Sequence, residues 1–264
     1  MKYFIVGMGR VGSSLFSSLK GTEHTFMGYF SNKKVNGVPD RQYYRKLDEI
    51  PDVDIIFVTL PDDKIEEVSK KIDRKACFCH TSGLQSFSVL PDYGLGRVSM
   101  HPIYSVPEMF SDLTGLFWGV SGDKIGKEKA SKLINTMGGK IIYISDEAKP
   151  LYHAINVISS NILVSIYYLL MGPIDKLNLP LEPFLQLSIS SLKSIEQFGV
   201  QNALTGPVER GDLITFRKDI EALKSGYPDI FSSLKELFLT NIKIAKRKGL
   251  NEEILRHMSD IINT

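Results

Sequence analysis

A glycine motif directly after a short apolar segment is the feature of this 264-residue sequence that most constrains its fold. Residues 3–6 have the character of a strand, Gly7-x-Gly9-x-x-Gly12 follows, and a helical pattern begins at Arg10. The first glycine permits a tight turn, the second lets the backbone approach a pyrophosphate, and the third lets the helix pack closely on the strand. Free N–H groups at the start of that helix bind phosphate. The motif therefore predicts a Rossmann unit that binds a nicotinamide dinucleotide.

Composition narrows the class of partner. Hydrophobic residues make up 43% and charged residues 23%, as is typical of soluble globular proteins, and the length suggests two domains. A net charge of +2 gives no reason to expect nucleic acid or an anionic membrane as partner, so we expect a small-molecule substrate.

The N-terminal residues lack a signal-peptide pattern, which predicts a cytoplasmic protein. Cys77 and Cys79 are too few for a zinc site and are expected to be buried, with thiol chemistry assisted by His80 as the alternative.

The order of elements predicts an α/β class with a doubly wound Rossmann domain followed by an all-α domain. Strands are expected at 3–6, 25–30, 54–60, 76–80, 97–101, 116–121 and 140–144, with helices between them at 10–19, 62–72 and 124–137. Helices then follow at 147–171, 181–198, 211–225, 229–248 and 251–262. We therefore divide the chain into an NAD(P)-binding domain, 1–145, and a helical domain for substrate binding and dimerisation, 146–264. The apolar stretch 162–171 is too short to cross a bilayer and is expected to be a buried helix.

The end of the second strand bears on the choice of cofactor. NAD-specific proteins usually place a carboxylate there for the ribose 2′-hydroxyl, but this chain has Ser31, Asn32 and Lys33. Hydroxyl, amide and ammonium groups attract a 2′-phosphate, so NADP is favoured over NAD, and Arg10 could add charge. The alternative is that Lys33 lies in a solvated turn. Further cofactor contacts are expected at the end of the predicted strand 54–60, from Leu60 and Pro61 near the nicotinamide-side ribose.

Polar side chains follow several of the predicted strands where a substrate would lie. Ser82 follows one strand and His101 ends the next, while His153, Asn156 and Ser160 share one face of the first helix beyond the sheet with Lys149. Hydride transfer needs a proton donor or acceptor at the reacting heteroatom, and histidine titrates in the useful range. His101 and His153 are therefore catalytic candidates, although each alone could equally be a structural histidine bonded to backbone.

These residues together resemble a known family. The glycine motif, the segments 61–63, 80–83 and 101–102, Tyr152-His153 with Asn161, and the string 203–212 resemble the Rossmann-like proteins with a C-terminal helical domain of unknown function. That family lies within the 6-phosphogluconate dehydrogenase-like superfamily. Relatives of known chemistry include pyrroline-5-carboxylate reductase, ketopantoate reductase, prephenate dehydrogenase and 3-hydroxyisobutyrate dehydrogenase. The resemblance implies dimerisation through the helical domain, for which an apolar face at Ile162, Ile166 and Leu169 is suited. The alternative is that this face packs within the chain, on the helices at 181–198 or 229–248.

The resemblance also implies roles for individual residues. His153-x-x-Asn156 is similar to the Lys-x-x-Asn of hydroxyacid dehydrogenases, which implies an acid–base role for His153 and substrate binding by Asn156, with histidine replacing the usual lysine. His101-Pro102 is similar to the His-Pro of prephenate dehydrogenase, in which the histidine contacts the reacting hydroxyl. Arg210 either binds a substrate carboxylate or phosphate or belongs to an interhelix turn capped by Asp212.

Two functions fit these observations. One is an NADP-dependent oxidoreductase acting on a small oxo, hydroxy or imino acid at the cleft between the domains. Ser82, Ser160 and Arg210 would then contact the substrate. The other is a catalytically weak NADP-binding regulatory or assembly module. An open cavity at His101 and His153 would favour the enzyme, and a cavity filled by apolar side chains would favour the module.

Overall fold

A computed structural model describes all 264 residues and places them in two compact units, Met1–Ile162 and Leu163–Thr264. The first unit contains every strand and therefore has the α/β class predicted for it. It extends beyond residue 145, because the helix that follows the last strand bonds to the sheet through Lys149 and Tyr152.

The sheet of the first unit has eight strands. They are β1 Lys2–Val6, β2 Thr25–Phe30, β3 Tyr43–Tyr44, β4 Ile55–Val58, β5 Cys77–His80, β6 Arg97–Pro102, β7 Phe117–Gly122 and β8 Lys140–Tyr143. Their spatial order is β3-β2-β1-β4-β5-β6-β7-β8. Strands β1 to β6 are mutually parallel, so their carboxyl ends meet at one edge of the sheet. All seven predicted strands are present, and β3, a pair of residues, is an addition.

One pairing differs from the expected parallel sheet. Strand β7 runs antiparallel to β6, with His101 opposite Gly119. The segment between the two strands contains no helix, so the chain turns back beside β6 without the crossover that a parallel connection needs. Helix α3, Lys124–Thr136, then connects β7 to β8, which are parallel to each other.

Helices cover both faces of this sheet. Helix α1, Arg10–Leu19, packs with α3 on one face through Leu15, Leu19 and Leu133. Helix α2, Asp62–Ser69, contributes Ile65 to a separate core on the other face. The predicted doubly wound arrangement is confirmed. The two cysteines, Cys77 and Cys79, are buried in the first of these cores, and burial raises the pKa of the Cys77 thiol to about 12, which disfavours the thiolate needed for reactivity.

The first unit ends with helix α4, Lys149–Val157, and a π-helical turn, Ile158–Ile162. A π-helical turn inserts one extra residue per turn and shifts the side chains that follow it around the helix axis. The spacing assumed from an ideal α-helix therefore does not hold beyond residue 157. This matters for Ser160, which lies in the turn.

The second unit consists of helices only. They are α5 Leu163–Lys176, α6 Glu182–Asn202, α7 Pro207–Arg210, α8 Leu213–Gly226, α9 Pro228–Arg247 and α10 Glu252–Asn263. Its core comes from α7 to α10, including Val208, Phe216, Ile242 and Met258. The predicted helical domain is confirmed, with α7 as an additional short helix where an interhelix turn was expected.

Helices α5 and α6 are not buried in this chain. In α5 only Ile174 is buried, and α6 has no buried residue. The expectation that the apolar stretch 162–171 forms a buried helix is therefore wrong, because α6 covers it only in part, through contacts such as the hydrogen bond of the Tyr167 hydroxyl to the Phe184 carbonyl oxygen. The longer stretch Asp146–Lys176 is the one part of the chain long and apolar enough to cross a membrane, with mean hydropathy 1.6, a criterion that soluble core helices also meet.

Candidate functional site

The glycine motif forms a tight turn between β1 and α1. Gly7 has a φ of +99°, a conformation that residues with a Cβ rarely adopt. At Gly12 a Cβ would lie 2.1 Å from the Gly7 carbonyl oxygen, so helix and strand can approach this closely only with glycine there. The Thr59 hydroxyl, at the end of β4, donates to the same carbonyl oxygen. Gly7 and Gly12 thus have the geometry expected of the first and third motif glycines.

Gly9 occupies the N-cap of α1 and leaves the helix end open. No side chain caps this helix, and its first turn contains no acidic residue. A Cβ built on Gly9 would meet no atom within 4 Å, so the space beside its backbone is empty. Uncapped N–H groups and the positive end of the helix dipole favour an anion at this position.

A cavity of about 330 Å³, the glycine-turn cavity, adjoins this turn. It is lined by residues of the turn, the end of β2 and two flanking loops: Gly7, Met8, Gly9, Phe30, Ser31, Asn32, Lys33, Val35, Leu60 and Met109. Six of the nine predicted cofactor residues lie in this lining, while Gly12 packs beneath the turn. Arg10 and Pro61 are exposed at the starts of α1 and α2. Met109 lies in a loop with no sequence signal that could have identified it.

The two lysines that follow β2 have different surroundings. The Lys34 ammonium is 2.8 Å from an Asp40 carboxylate oxygen, whereas Lys33 is exposed and lines the glycine-turn cavity. The Ser31 hydroxyl donates to the Lys33 carbonyl oxygen and holds the turn. Lys33 therefore supplies the cationic side chain of this cavity.

A larger cavity of about 600 Å³, the histidine cavity, lies in the same unit. Its walls come from the end of β6 with the following loop and from α4 with the π-helical turn: His101, Ile103, Tyr104, Ser105, His153, Asn156, Val157, Ser159, Ser160 and Asn161. The structure thus brings together His101, His153, Asn156 and Ser160, four of the predicted catalytic and substrate-binding residues. The cavity is open rather than filled by apolar side chains.

The two histidines converge on Gly83, which follows β5. A Cβ at Gly83 would lie 3.0 Å from His153 Cδ2 and 3.1 Å from His101 Nε2. Glycine at this position therefore leaves room for both imidazoles. Gly83 and the glycine turn follow strands of the parallel part of the sheet, and His101 is the penultimate residue of β6. Both cavities therefore lie at the carboxyl edge of the sheet, where ligands of open α/β sheets bind.

His101 is held by Tyr152 and is kept neutral. Its Nδ1 lies 2.8 Å from the Tyr152 hydroxyl oxygen. Burial lowers the pKa of His101 to about 4, and the positive charges of Lys149 and His153 act in the same direction. At neutral pH this imidazole is therefore uncharged.

Lys149 has a different environment from the one its helical spacing predicts. Instead of facing the cavity with His153 and Asn156, its side chain is buried against the sheet, with Nζ 2.7 Å from Ser99 Oγ. Burial lowers its pKa to about 8, while the carboxylates of Asp146 and Asp62 act in the opposite direction. An ammonium here places positive charge beneath the histidine cavity without lining it.

The turn after β5 uses Ser82 for its own structure. The Ser82 hydroxyl donates to Asp62 Oδ2 at 2.7 Å and accepts from the backbone N–H groups of Leu84 and Gln85. The side chain is buried, so this hydroxyl stabilises the turn that presents Gly83. Direct contact of Ser82 with a substrate stays a prediction that this bonding does not favour.

His80 is a structural histidine of the same turn. Its side chain is fully buried, Nδ1 accepts from the Ser82 N–H at 3.2 Å, and Nε2 donates to the Ser86 carbonyl oxygen at 3.2 Å. Burial lowers its pKa from 6.5 to about 4. The folded state therefore holds His80 neutral over a pH range in which the unfolded chain protonates it.

We expect acid to destabilise the first unit through His80. The unfolded chain binds the additional proton, so stability is lost as pH falls from about 6.5 towards 4, by up to about 3 kcal/mol for a shift of this size. Urea unfolding at pH 7 and 4.5, followed by fluorescence of the single tryptophan, the buried Trp118, measures this. His80→Gln should lose less stability over this interval than the wild type. The exposed His257→Gln is the control, and equal losses for His80→Gln and the wild type would contradict the assignment.

Arg210 belongs to the second unit. It is exposed at the end of α7, and Asp212 caps α8 by accepting from the Thr215 N–H at 3.0 Å. The cap expected at Asp212 is present, although the residues before it form the short helix α7 and not a simple turn. Binding of a substrate anion by Arg210 stays a prediction.

Part of the chain is similar to a known protein family. Residues 116–238 match the family model described as a domain of unknown function, DUF2520. The matched residues, somewhat less than half of the chain, span the end of the Rossmann sheet and most of the helical unit. No curated protein matches the sequence significantly.

Solved structures share the fold over nearly the whole chain. A Thermotoga maritima protein aligns with a TM-score of 0.71 and 23% identity, covering 99% of this chain and 100% of its own. Plasmodium falciparum pyrroline carboxylate reductase, with NADP bound, gives 0.62 and 17%, covering 99% and 98%. Aquifex aeolicus prephenate dehydrogenase, with hydroxyphenyl propionate and NAD⁺, gives 0.53 and 15%, covering 99% and 96%. The chain therefore has the fold of these proteins, a Rossmann-like unit followed by a helical C-terminal unit.

Proposed function

We propose that the protein is an NADP-dependent oxidoreductase that interconverts the oxidised and reduced forms of a small oxo, hydroxy or imino acid. The observation that carries this proposal is the convergence of His101 and His153 on Gly83, at the same sheet edge as the glycine turn. Similar folds in a pyrroline carboxylate reductase with NADP and a prephenate dehydrogenase with NAD⁺ support the reaction class. The open histidine cavity supports an enzyme over a binding module.

The residues of the glycine-turn cavity fit a dinucleotide. The uncapped end of α1 and the open space at Gly9 suit the pyrophosphate, and Lys33 with Ser31 and Asn32 suits a 2′-phosphate. When bound, NADPH supplies a hydride to the substrate, and NADP⁺ accepts one in the reverse direction.

The side chains of the histidine cavity would handle the proton. In reduction, the substrate heteroatom would keep the electron pair of the C=O or C=N π bond and take a proton from His153. His101 hydrogen-bonds to the same heteroatom, and Asn156 orients the rest of the substrate. His153 then regains a proton from solvent through the open cavity.

We expect Lys33 to determine the preference for NADPH. A charge-assisted hydrogen bond to a 2′-phosphate is worth about tenfold or more in affinity, so Lys33→Gln should weaken NADPH binding by about that factor and leave NADH binding unchanged. Calorimetric titration of both cofactors measures this. Lys34→Gln is the matched control, because Lys34 pairs with Asp40 and does not line the cavity. Tighter binding of NADH than NADPH by the wild type would refute the phosphate site.

A panel of small oxo, hydroxy and imino acids, assayed for oxidation of NADPH or reduction of NADP⁺, tests the activity. The proposal expects turnover with at least one member, lost in the double variant His101→Gln/His153→Gln. Saturable NADPH binding without turnover across the panel would favour the binding module.

We also propose that the protein forms a homodimer through helices α5 and α6. Both helices carry exposed apolar side chains, among them Val164, Leu187, Leu192 and Phe198, and they contribute almost nothing to the core of their own unit. A second copy offers the same apolar surface, and most soluble oligomers are symmetric assemblies of identical chains.

Light scattering tests this dimer. We expect a mass of twice the 29.6 kDa of one chain at micromolar concentration, and a monomer for Leu187→Glu/Leu192→Glu. Ile214→Glu, which changes an exposed side chain of α8, is the control and should remain dimeric. A monomeric wild type would contradict the proposal, as would a protein that leaves solution for lipid vesicles.

A further inference from the structure

The Tyr152 hydroxyl lies beside His101, in a space that is open because residue 119 is glycine. Gly119 on β7 lies opposite His101 on β6, and a Cβ there would be 2.2 Å from the phenol oxygen. Only glycine at 119 therefore allows the phenol to lie over this pair of strands. The Tyr152 and His101 rings are nearly perpendicular, at 87°, which suits a hydrogen bond from the phenol to the edge of the imidazole.

The donor in this hydrogen bond follows from the partners of the phenol. Burial raises the pKa of Tyr152 to about 12, so the hydroxyl keeps its proton at neutral pH. The Asn156 side chain bonds elsewhere, because its Nδ2 donates to the Tyr152 backbone carbonyl oxygen at 2.8 Å, and the hydrogen-bond partner of the phenol is His101. If the phenol accepted from His101, its own proton would lack an acceptor, and leaving a donor unsatisfied in a partly buried place is costly. The phenol proton is then directed to His101 Nδ1, 2.8 Å away.

A neutral imidazole carries one proton, and the two nitrogens have opposite roles. If Nδ1 accepts from Tyr152, the proton of His101 is on Nε2. Nε2 faces Gly83, because a Cβ built on that glycine would lie 3.1 Å from Nε2. The His101 side chain also lines the histidine cavity. Its N–H is therefore available to a bound molecule.

We propose that Tyr152 fixes His101 as the Nε2–H tautomer and thereby selects substrates whose reacting atom accepts a hydrogen bond, namely a carbonyl or hydroxyl oxygen. A protonated imine presents an N–H instead, which would face the N–H of His101 with no acceptor between them. The substrate-selection part rests on the proposed function and narrows it to an oxo or hydroxy acid. In that arrangement the oxygen accepts from His101 while it exchanges its proton with His153. Tyr152 is a positioning residue, because it acts through His101.

The tautomer can be measured without cofactor or substrate. In protein labelled with ¹⁵N-histidine at pH 7, the two ring nitrogens of a neutral histidine have distinct shifts according to which one carries the proton. The signals of His101 are assigned by their loss in His101→Gln. We expect the Nε2–H form in the wild type and a mixture of both tautomers in Tyr152→Phe. Gly119→Ala, which displaces the phenol, should give the same mixture.

Tyr104→Phe is the matched control, since Tyr104 lines the same cavity but does not bond to His101, and its His101 signals should remain those of the wild type. An Nδ1–H form in the wild type, or an unchanged tautomer in both Tyr152→Phe and Gly119→Ala, would overturn the assignment to Tyr152. These outcomes do not depend on whether the protein is an oxidoreductase.

Turnover tests the selection separately. With NADPH, we expect kcat/KM for 2-oxo acids to exceed that for the cyclic imine 1-pyrroline-5-carboxylate by at least about tenfold, the cost of an unsatisfied buried donor. In Tyr152→Phe this ratio should fall, because part of the population then presents Nε2 as an acceptor. A wild type that prefers the cyclic imine would overturn the selection even if the tautomer is as proposed.

Discussion

Replacing His153 with glutamine lowers kcat by at least about 100-fold and leaves NADPH affinity nearly unchanged. The expectation follows from the position of His153, which lines the histidine cavity and approaches Gly83 together with His101, whereas the glycine-turn cavity has other walls. General acid–base catalysis is typically worth a factor of about 100 to 10,000. Steady-state kinetics with a substrate found in the panel measures kcat, and calorimetry measures cofactor affinity.

Variants at His257 and His101 are the controls for this prediction. His257→Gln, on the surface of the helical unit, should be fully active. His153→Gln that keeps most of its turnover would remove His153 from the mechanism. Should His101→Gln alone abolish turnover, the prephenate dehydrogenase pattern would describe the site better.

Replacing Gly9 with leucine abolishes NADPH binding without unfolding the protein. A side chain at Gly9 meets no protein atom within 4 Å, and the φ of −78° is accessible to leucine, so the fold should tolerate it. Because Gly9 lines the glycine-turn cavity, the leucine would occupy the space into which the pyrophosphate must approach the backbone.

Two other glycines make this test specific. Gly226→Leu, also with no atom within 4 Å but in α8 of the helical unit, should bind NADPH like the wild type. Gly12 is unsuitable, since a Cβ there would strike the Gly7 carbonyl oxygen at 2.1 Å and disturb the fold itself. Retained NADPH affinity in Gly9→Leu would show that the motif is only a turn.

The parts of this fold that depend on local pattern were predictable. Alternation of apolar strands and helices predicts the sheet, and the spacing of Gly7, Gly9 and Gly12 predicts a turn whose geometry the structure confirms. The antiparallel β7 could not be predicted in the same way. Its direction depends on how the chain returns after β6, and a strand has the same sequence pattern in either direction.

In the site, too, sequence spacing predicts some side-chain positions, while tertiary packing decides others. His153 and Asn156 share a helix face as their spacing indicates, but Lys149 on that predicted face is buried against Ser99, because tertiary packing decides where a long side chain ends. Tyr152 belongs to the residues that carry the family resemblance, but the resemblance implies no role for it. Its relation to His101 depends on β6, β7 and α4 meeting at Gly119, which no single segment encodes.

The exposure of α5 and α6 also could not be predicted from the sequence pattern. An apolar helix that packs within its own chain and one that packs against a second chain have the same composition. The structure distinguishes them, because Val164 and Tyr168 are 69% and 80% exposed. The dimer proposal follows from this exposure.

Titration of NADPH into the wild type, followed by the fluorescence of the reduced nicotinamide, tests the central claim most directly. The claim is that the glycine-turn cavity binds NADP(H) beside a histidine cavity that performs proton transfer. It predicts saturable binding of one NADPH per chain, lost in Gly9→Leu and kept in His153→Gln. No saturable binding by the folded wild type, or equal binding by Gly9→Leu, would contradict it.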